Sequence, residues 1–318
     1  MEEPWFLPDD DLSPQPVRLD DARDWRAAQS GLAVKLARAA QALGALEATL
    51  DGDVGMIRRL ALAEVEAMLW TEGTPLPREE IGRDLMAARA GSDPQVLAKA
   101  RWALRRLEGQ ADPQQLRAFL GLHRVDHAAP AGRATGDAFD ATARELLLRL
   151  DDAALHPLTR AAMAVALWPL AGLSDPEDVA EAATFAARIA AADLTALPFA
   201  PMGQAGRRVW RSQGGSVAAR LDRWLDAVAA GARHARAEAL RLDGWAARAQ
   251  TEVAHLKGCA PARVIAALRA TPLMTTEMVA QQIGASRDTA ERVLARLHGT
   301  GLIREVTGTR RFRLWSAP

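Results

Sequence analysis

The chain has 318 residues, and its 40 Lys and Arg residues balance its 40 Asp and Glu residues to give a formal net charge of zero. This balance excludes a uniformly basic nucleic-acid coat and an acidic disordered chain, and a hydrophobic content of 49% is typical of a globular protein. The length favours two domains. The single cysteine, Cys259, has no second thiol with which to form an internal disulfide.

No segment has the pattern of a membrane span or a secretory signal. The uncharged run at 161–173 is shorter than the ~18 apolar residues that a spanning helix needs. The N-terminal residues MEEPWFLPDDD are acidic, whereas a signal peptide begins with basic residues. We therefore expect a cytoplasmic protein with no membrane partner.

The predicted elements begin after an N-terminal tail, residues 1–20, which four prolines and an aspartate run keep extended. From residue 21 to residue 256 the apolar side chains recur at helical spacing, which predicts an all-α body. Two helices are expected around 32–43 and 60–69. Further helices are predicted at 78–90, 94–108, 113–123, 137–150, 157–168, 176–192, 216–231 and 233–255. Five tryptophans spaced along these helices are predicted to be core residues: Trp70, Trp102, Trp168, Trp224 and Trp245.

The charge divides unevenly along the chain. Residues 257–318, called the C-terminal module below, hold ten basic and four acidic groups, a net charge of +6. The residues before them hold 30 basic and 36 acidic groups, a net charge of −6. The overall zero is therefore the sum of an acidic body and a basic C-terminal module.

The residues that begin and end the elements of the C-terminal module are typical of a winged helix-turn-helix, which has three helices followed by a β-wing. Thr271-Pro272 ends a first helix, Thr275 begins a second, and Gly284 ends that helix. Ser286 begins a third helix, whose inward residues are Ala290, Val293, Leu294 and Leu297. Segments 302–306 and 311–315 predict two wing strands, with Phe312 and Leu314 packed inward.

The outward residues of the third helix predict contacts with double-stranded DNA. A helix that enters the major groove presents its N-terminal residues to base edges, so Arg287, Thr289 and Arg292 are the predicted base-contacting residues. The predicted phosphate contacts are Ser286, Arg296, Arg310, Arg311 and Arg313. The alternative for this module is a winged helix that docks a protein.

The segment MVAQQIGASRDTAERVLARLHGTGLIREVTGTRRFRLW (278–315) resembles the winged helix-turn-helix of bacterial regulators, including the one that ends many Fic-family proteins. Segment 42–85 resembles the N-terminal helices of Fic proteins, in which a Ser/Thr-x-x-x-Glu-Gly motif lies on an inhibitory helix. Glu72 and Gly73 match that motif as a remnant, and Met68 stands where Ser or Thr is expected. Together, the Fic-like body and the C-terminal module resemble an uncharacterised bacterial family with a domain of unknown function and a C-terminal helix-turn-helix.

The Fic resemblance implies a catalytic loop that this sequence lacks. Segment 156–173 is similar to the helix before the family's active-site loop, which carries His-Pro-Phe and Gly-Asn-Gly-Arg. The residues that follow here, GLSDPEDVAEAATFAARI, contain neither motif, and His156-Pro157 begins a helix instead of ending one. We therefore predict no catalytic residue, no metal and no cofactor.

Two other groups of residues are candidate binding sites. His123 and His127, with Asp126 beside them, have a spacing that could hold a metal, but Pro130 ends the helix at once, and a solvated helix end is favoured. Gly203, Gly206 and the arginines 207–208 could form an anion-binding nest, although a flexible basic loop is favoured.

The sequence therefore predicts a non-enzymatic DNA-binding regulator that acts as a homodimer, with 216–255 as the candidate dimer contact, and with an unidentified effector of the body. One alternative is a divergent Fic-type nucleotidyltransferase that transfers AMP to a protein and binds ATP and Mg²⁺. The other is an antitoxin-like interaction protein.

Overall fold

The computed structural model describes residues 19–86, 92–122, 133–175, 177–211, 214–308 and 313–318, which are mostly helical. The first eighteen residues of the predicted tail lie outside the described residues. In chain order the elements are α1 (Ala22–Gly31), α2 (Ala33–Leu50), α3 (Val54–Glu72), α4 (Arg78–Leu85), α5 (Pro94–Leu107), α6 (Leu116–Leu120), α7 (Gly136–Leu150), α8 (Pro157–Ala171), α9 (Val179–Ala190), a 3-10 helix (Gly203–Arg208), α10 (Val217–Val253), α11 (Ala260–Ala270), β1 (Met274–Thr275), α12 (Thr276–Ile283), α13 (Arg287–Gly299), β2 (Arg304–Glu305) and β3 (Leu314–Ser316).

Helix α10 is a continuous helix of 37 residues, so the prediction of two helices at 216–231 and 233–255 is wrong. Gly231 lies at the predicted break, but the helix continues through it. A Cβ atom at this position would lie 2.4 Å from both the Cα of Met202 and the carbonyl oxygen of Pro201. The glycine therefore lets the backbone before the 3-10 helix lie directly against α10, and the helix tolerates the propensity cost of about 1 kcal/mol.

The body is built around α3 and α10. Helix α10 packs along α2 and also contacts α1, α8 and α11, whereas α3 packs against α5, α9 and the 3-10 helix. Helix α4 ends at Leu85 and α6 covers Leu116–Leu120, so the predicted helices at 78–90 and 113–123 are shorter in the structure.

Four of the five tryptophans that were predicted to be core residues lie in the core or pack against it. Trp168, Trp224 and Trp245 are buried, and Trp102 is half-buried. Trp70 is 56% exposed, so its assignment to the core is wrong. It lies on the outward side of α3, where the Arg207 guanidinium stacks 4.6 Å from the centre of its ring, a cation–π contact that the surface allows.

The C-terminal module combines α11, α12 and α13 with a three-stranded antiparallel sheet in the order β1-β3-β2. Strands β2 and β3 correspond to the predicted wing. Strand β1 was not predicted, because two residues are too few to show an alternation of apolar and polar side chains. Their partners Trp315 and Leu314 are also distant in sequence. Thr275 both ends β1 and caps α12, since its hydroxyl accepts a hydrogen bond from the Met278 amide, as predicted.

The C-terminal module packs tightly against the body. A Cβ at Gly55 of α3 would lie 1.8 Å from the carbonyl oxygen of Ala270, so the end of α11 rests directly on α3. The Arg59 guanidinium donates hydrogen bonds to carbonyl oxygens at that same helix end, including those of Leu268 and Thr271. These bonds satisfy carbonyls that a helix C-terminus leaves without partners.

Polar contacts join α10 to the module as well. The indole of Trp245 donates a hydrogen bond of 2.8 Å to the carbonyl of Leu302. Arg269 of α11 forms ion pairs of 2.6 Å with Asp53 before α3 and with Asp243 of α10. The connection between α10 and α11, residues 254–259, contains the predicted domain boundary at 256.

Candidate nucleic-acid interface

Helices α12 and α13 are joined by a short turn whose conformation the sequence specifies. Gly284 ends α12 with a φ of 67°, in the left-handed region that favours glycine. After Ala285, Ser286 begins α13 and its hydroxyl accepts a hydrogen bond of 3.3 Å from the Thr289 amide. The predicted positions of both caps are confirmed.

The apolar face of α13 holds the helix against α11 and α12. Ala290, Leu294 and Leu297 are buried, and Val293 is half-buried, which matches the predicted inward face. Because these residues recur at i, i+4 and i+7, they fix the rotation of the helix about its axis. The remaining side chains of α13 are therefore presented in a defined direction.

The exposed face of α13 carries three arginines, Arg287, Arg292 and Arg296. Thr289 is half-buried between Ser286 and Arg292: the Ser286 hydroxyl donates to the Thr289 hydroxyl at 3.0 Å, and Arg292 Nη2 donates to the same oxygen at 3.2 Å. The structure thus brings three of the predicted contact residues, Ser286, Thr289 and Arg292, into contact at the start of the helix.

Two carboxylates share this exposed face. Asp288 and Glu291 are exposed, and Glu291 forms an i, i+4 ion pair of 3.1 Å with Arg287. Both side chains of this pair are more than half exposed to solvent. Exposed pairs of this kind are worth little and are screened by salt, so Arg287 can exchange the carboxylate for another anion at small cost.

The wing is described in part. Arg310, Arg311 and Phe312 lie outside the described residues, as does Thr309. Arg313 is exposed and Leu314 is buried, the second as predicted. At the start of the turn after β2, the Glu305 carboxylate accepts hydrogen bonds from the amides of Thr307 and Gly308.

The charge of +6 overstates what the C-terminal module presents to a partner. Arg269 is paired with Asp53 and Asp243 of the body, and Arg304 lies 3.7 Å from Glu79. A third arginine, Arg263, donates to a carbonyl oxygen inside the module. Among the described residues of the module, Arg287, Arg292 and Arg296 of α13 are exposed.

Glu72, which the sequence matched to the Fic motif, lies at the end of α3, and its side chain is only 4% exposed. Its carboxylate accepts a hydrogen bond of 2.7 Å from the Ala180 amide in the first turn of α9 and forms an ion pair of 3.0 Å with Lys99. Lys99 also pairs with Asp178. Burial and the nearby Asp178 raise the pKa of Glu72 to about 7. Gly73 ends α3 with a φ of 85°.

The loop between α8 and α9 stands where the Fic resemblance implies the catalytic motif. Asp178 caps α9 by accepting a hydrogen bond from the Glu181 amide, and Glu72 accepts one from Ala180. Carboxylates of the protein itself therefore occupy amides that could hold a phosphate at this helix N-terminus. His156 lies at the other end of α8, where its Nδ1 accepts a hydrogen bond from the Leu158 amide as an N-cap.

The histidine group that was a candidate metal site cannot be compared with the structure. His123, Asp126 and His127 lie outside the described residues. Among the residues that the structure describes, no group of three or more His, Cys, Asp and Glu residues could hold a metal ion. Within those same ranges no helix is both long and apolar enough to cross a membrane.

The predicted basic loop at 203–208 is a 3-10 helix, so that prediction is wrong. The amides of Met202 and Gly203 donate hydrogen bonds to the carboxylate of Glu64, which is buried on α3. Burial, the largest influence, raises the pKa of Glu64 to about 7, although both amides oppose the shift. A buried anchor of this kind gave no signal in the sequence, because Glu64 sits in an ordinary amphipathic helix pattern.

No protein-family model and no curated protein matches the chain. Among solved structures, the chain is similar to a Fic family protein from Desulfovibrio desulfuricans G20 at 14% sequence identity, with a TM-score of 0.45. The similarity covers 86% of this chain and 96% of that one.

Proposed function

We propose that the protein is a non-enzymatic regulator that binds double-stranded DNA through its C-terminal module, used as a winged helix-turn-helix. The observation that carries this proposal is the division of α13 into a buried apolar face and an exposed face with Arg287, Arg292 and Arg296. A recognition helix needs this arrangement, because one face must be fixed to the protein while the other enters the major groove.

The residues of α13 divide into two roles in this proposal. Arg287, Thr289 and Arg292 lie in its first two turns and would meet base edges, where an arginine can bond to O6 and N7 of guanine. Ser286 and Arg296, together with the wing residues Arg310, Arg311 and Arg313, would bind phosphates and supply affinity without sequence information.

The proposal includes a homodimer, because two copies on two half-sites multiply the specificity of a small module. The apolar side of α10, the predicted dimer contact, packs against α2 within the chain. A second copy would therefore use the outward side of α10, which carries the exposed Leu240. Sedimentation of the protein with and without a DNA duplex tests this part of the proposal.

A gel-shift experiment with sheared genomic DNA at low salt tests DNA binding. We expect the wild-type protein to shift the DNA and the triple variant Arg287→Ala, Arg292→Ala, Arg296→Ala to lose the shift. The matched control replaces three exposed arginines of the body, Arg38, Arg233 and Arg248, with alanine. If the wild type fails to shift DNA, or if both triple variants weaken binding equally, the proposal is wrong.

The Fic-type nucleotidyltransferase is the second candidate function, and it makes the opposite prediction. It requires a nucleotide at the N-terminus of α9, where Glu72 and Asp178 accept the amide hydrogen bonds. Calorimetry with ATP and Mg²⁺ tests it, and we expect no binding heat. Saturable binding of ATP that increases in Glu72→Gly would favour the enzyme over the non-enzymatic regulator.

The third candidate, an antitoxin-like interaction protein, uses the same exposed face of α13 to hold a protein. It predicts co-purification of a stoichiometric protein partner that the α13 triple variant loses, with no affinity for sheared DNA. The DNA-binding proposal predicts instead that the protein binds sheared DNA.

A further inference from the structure

A cleft of about 430 Å³ lies between the body and the C-terminal module. Its walls come from α3, α4, α10 and the 3-10 helix on one side, and from residues 272–273, Arg304 and residues 316–318 on the other. The volume is in the range of small-molecule sites, which are commonly concave and occur between domains. The lining of this cleft includes neither the residues proposed to contact DNA nor Glu72, Lys99 and Asp178.

One part of the lining is apolar. Leu60 and Ala63 of α3 lie across from Leu242 of α10, and Leu273 and Ala317 of the module complete this part. Ala63 is half-buried although its neighbours Leu62 and Glu64 are buried. A ligand with an apolar body would gain about 25 cal/mol for each Å² that it removes from water here.

The other part of the lining is charged. Arg78, Arg241 and Arg304 each lie within ion-pair distance of one glutamate of the lining: Glu66, Glu238 and Glu79, respectively. Arg59 is the fourth arginine of the lining, and no carboxylate forms an ion pair with it in the part of the chain that the structure describes. Among the described residues, Arg59 is therefore the arginine of the lining that no carboxylate pairs with.

The side chain of Arg59 also has an unused hydrogen-bond donor. Its Nη2 atom bonds to carbonyl oxygens at the end of α11, whereas its Nε is buried and has no acceptor. Burial lowers the pKa of Arg59 to about 10, so the guanidinium is still charged at neutral pH. A ligand in the cleft cannot reach the enclosed Nε, but an anion bound beside the guanidinium would supply the counter-charge that no carboxylate of the lining gives to Arg59.

We propose that this cleft binds a small organic anion with an apolar body, such as an aliphatic carboxylate. The carboxylate would lie at Arg59, and the apolar chain would lie along Leu60, Ala63 and Leu242. Because the lining comes from both the body and the module, the bound anion would contact both. The proposal concerns binding alone, so it does not depend on whether the module binds DNA.

Calorimetric titration of the full chain with sodium octanoate tests the proposal. We expect saturable binding by the wild-type protein and an affinity at least tenfold lower for Ala63→Trp, which fills the cleft. The matched control, Ala37→Trp, adds the same side chain to an exposed position of α2 outside the cleft and should bind as the wild type does. If Ala63→Trp does not fold, Ala63→Leu is the smaller replacement with the same expected direction.

A second titration tests the charge of the ligand. We expect 1-octanol, which has a similar apolar chain and no charge, to bind at least tenfold more weakly than octanoate. Equal affinity for both would show an apolar void and overturn the assignment of an anion. Absence of saturable octanoate binding, or equal binding by the wild type and a folded Ala63 variant, would overturn the site itself.

Discussion

The Arg269 guanidinium lies 2.6 Å from the carboxylate of Asp53, and this ion pair joins α11 of the C-terminal module to the start of α3. Arg269 was counted in the sequence among the basic groups of a DNA-binding module. In the structure it is an attachment point, because Asp53 and Asp243 hold it between the body and the module.

The contact between Arg269 and Asp53 predicts energetic coupling between the module and the body. In a double-mutant cycle with Arg269→Met and Asp53→Asn, we expect a coupling free energy of about 0.5–1 kcal/mol in urea unfolding, since Arg269 is partly exposed and solvent screens the pair. Asparagine can keep the N-cap that Asp53 gives to α3, so the cycle isolates the charge. Strictly additive effects of the two substitutions would contradict the coupling.

Two glycines of α10 predict opposite effects of the same substitution. Gly231→Ala should destabilise the protein by about 1–3 kcal/mol, because the new Cβ meets the backbone of Met202. Gly244→Ala is the matched control, since its Cβ meets only the flexible end of Arg248 at 3.3 Å, and it should stabilise the helix by up to about 1 kcal/mol. Thermal unfolding of both variants measures the difference. Equal stabilisation by the two substitutions would mean that α10 and the 3-10 segment are not in close contact.

The buried Glu64 predicts a dependence of stability on pH. Its pKa is raised from 4.5 to about 7 in the folded state, so the folded protein holds this proton more tightly than the unfolded chain does. The stabilisation that the protonated group provides is complete below pH 4.5 and is lost as the pH rises through about 7.

Glu64→Gln should remove this dependence. Both amide hydrogen bonds go to one oxygen of Glu64, and its other oxygen has no partner, so glutamine can keep both bonds. Between pH 4.5 and pH 8, the free energy of unfolding of the wild type should fall by about 3 kcal/mol relative to Glu64→Gln. Urea unfolding at the two pH values measures this fall. An unchanged difference between the two proteins would contradict the raised pKa.

Substitution of Arg287, at the N-terminus of α13, should change the sequence specificity of DNA binding, whereas substitution of Arg296 should change only the affinity. Selection of bound sequences from a random DNA pool should yield a defined preference for the wild type, and Arg287→Ala should relax that preference at one base position by about 1–3 kcal/mol. Arg296→Ala should leave the selected sequence unchanged, because a phosphate contact carries no sequence information. Loss of the same preference in both variants would contradict the division of roles.

Local features of this fold could be predicted from the sequence, whereas long-range contacts could not. Thr275, Gly284 and Ser286 act through neighbouring backbone groups, so the turns of the C-terminal module were predictable from residue type. The close approach of another backbone to Gly231 could not be predicted, because a glycine that ends a helix and a glycine that admits a neighbouring backbone look the same in sequence. Strand β1 depends on distant partners and was missed for a similar reason.

In the candidate interface, too, local features could be predicted and long-range contacts could not. The exposure of Arg287, Arg292 and Arg296 followed from helical periodicity. The pairing of Arg269 and Arg304 with carboxylates of the body did not, because it requires the docking of the module on α3, α4 and α10. The cleft around Arg59 arises from that same docking, so no local pattern could indicate it.

The most direct test of the account is the affinity for a labelled DNA duplex measured by fluorescence anisotropy across a salt titration. For the wild type we expect the logarithm of the association constant to fall linearly with the logarithm of the salt concentration, and we expect Arg296→Ala to reduce the slope by about 1. The exposed body variant Arg233→Ala should leave the slope unchanged. Absence of binding at about 50 mM salt, or an equal slope for the wild type and Arg296→Ala, would contradict DNA binding through α13.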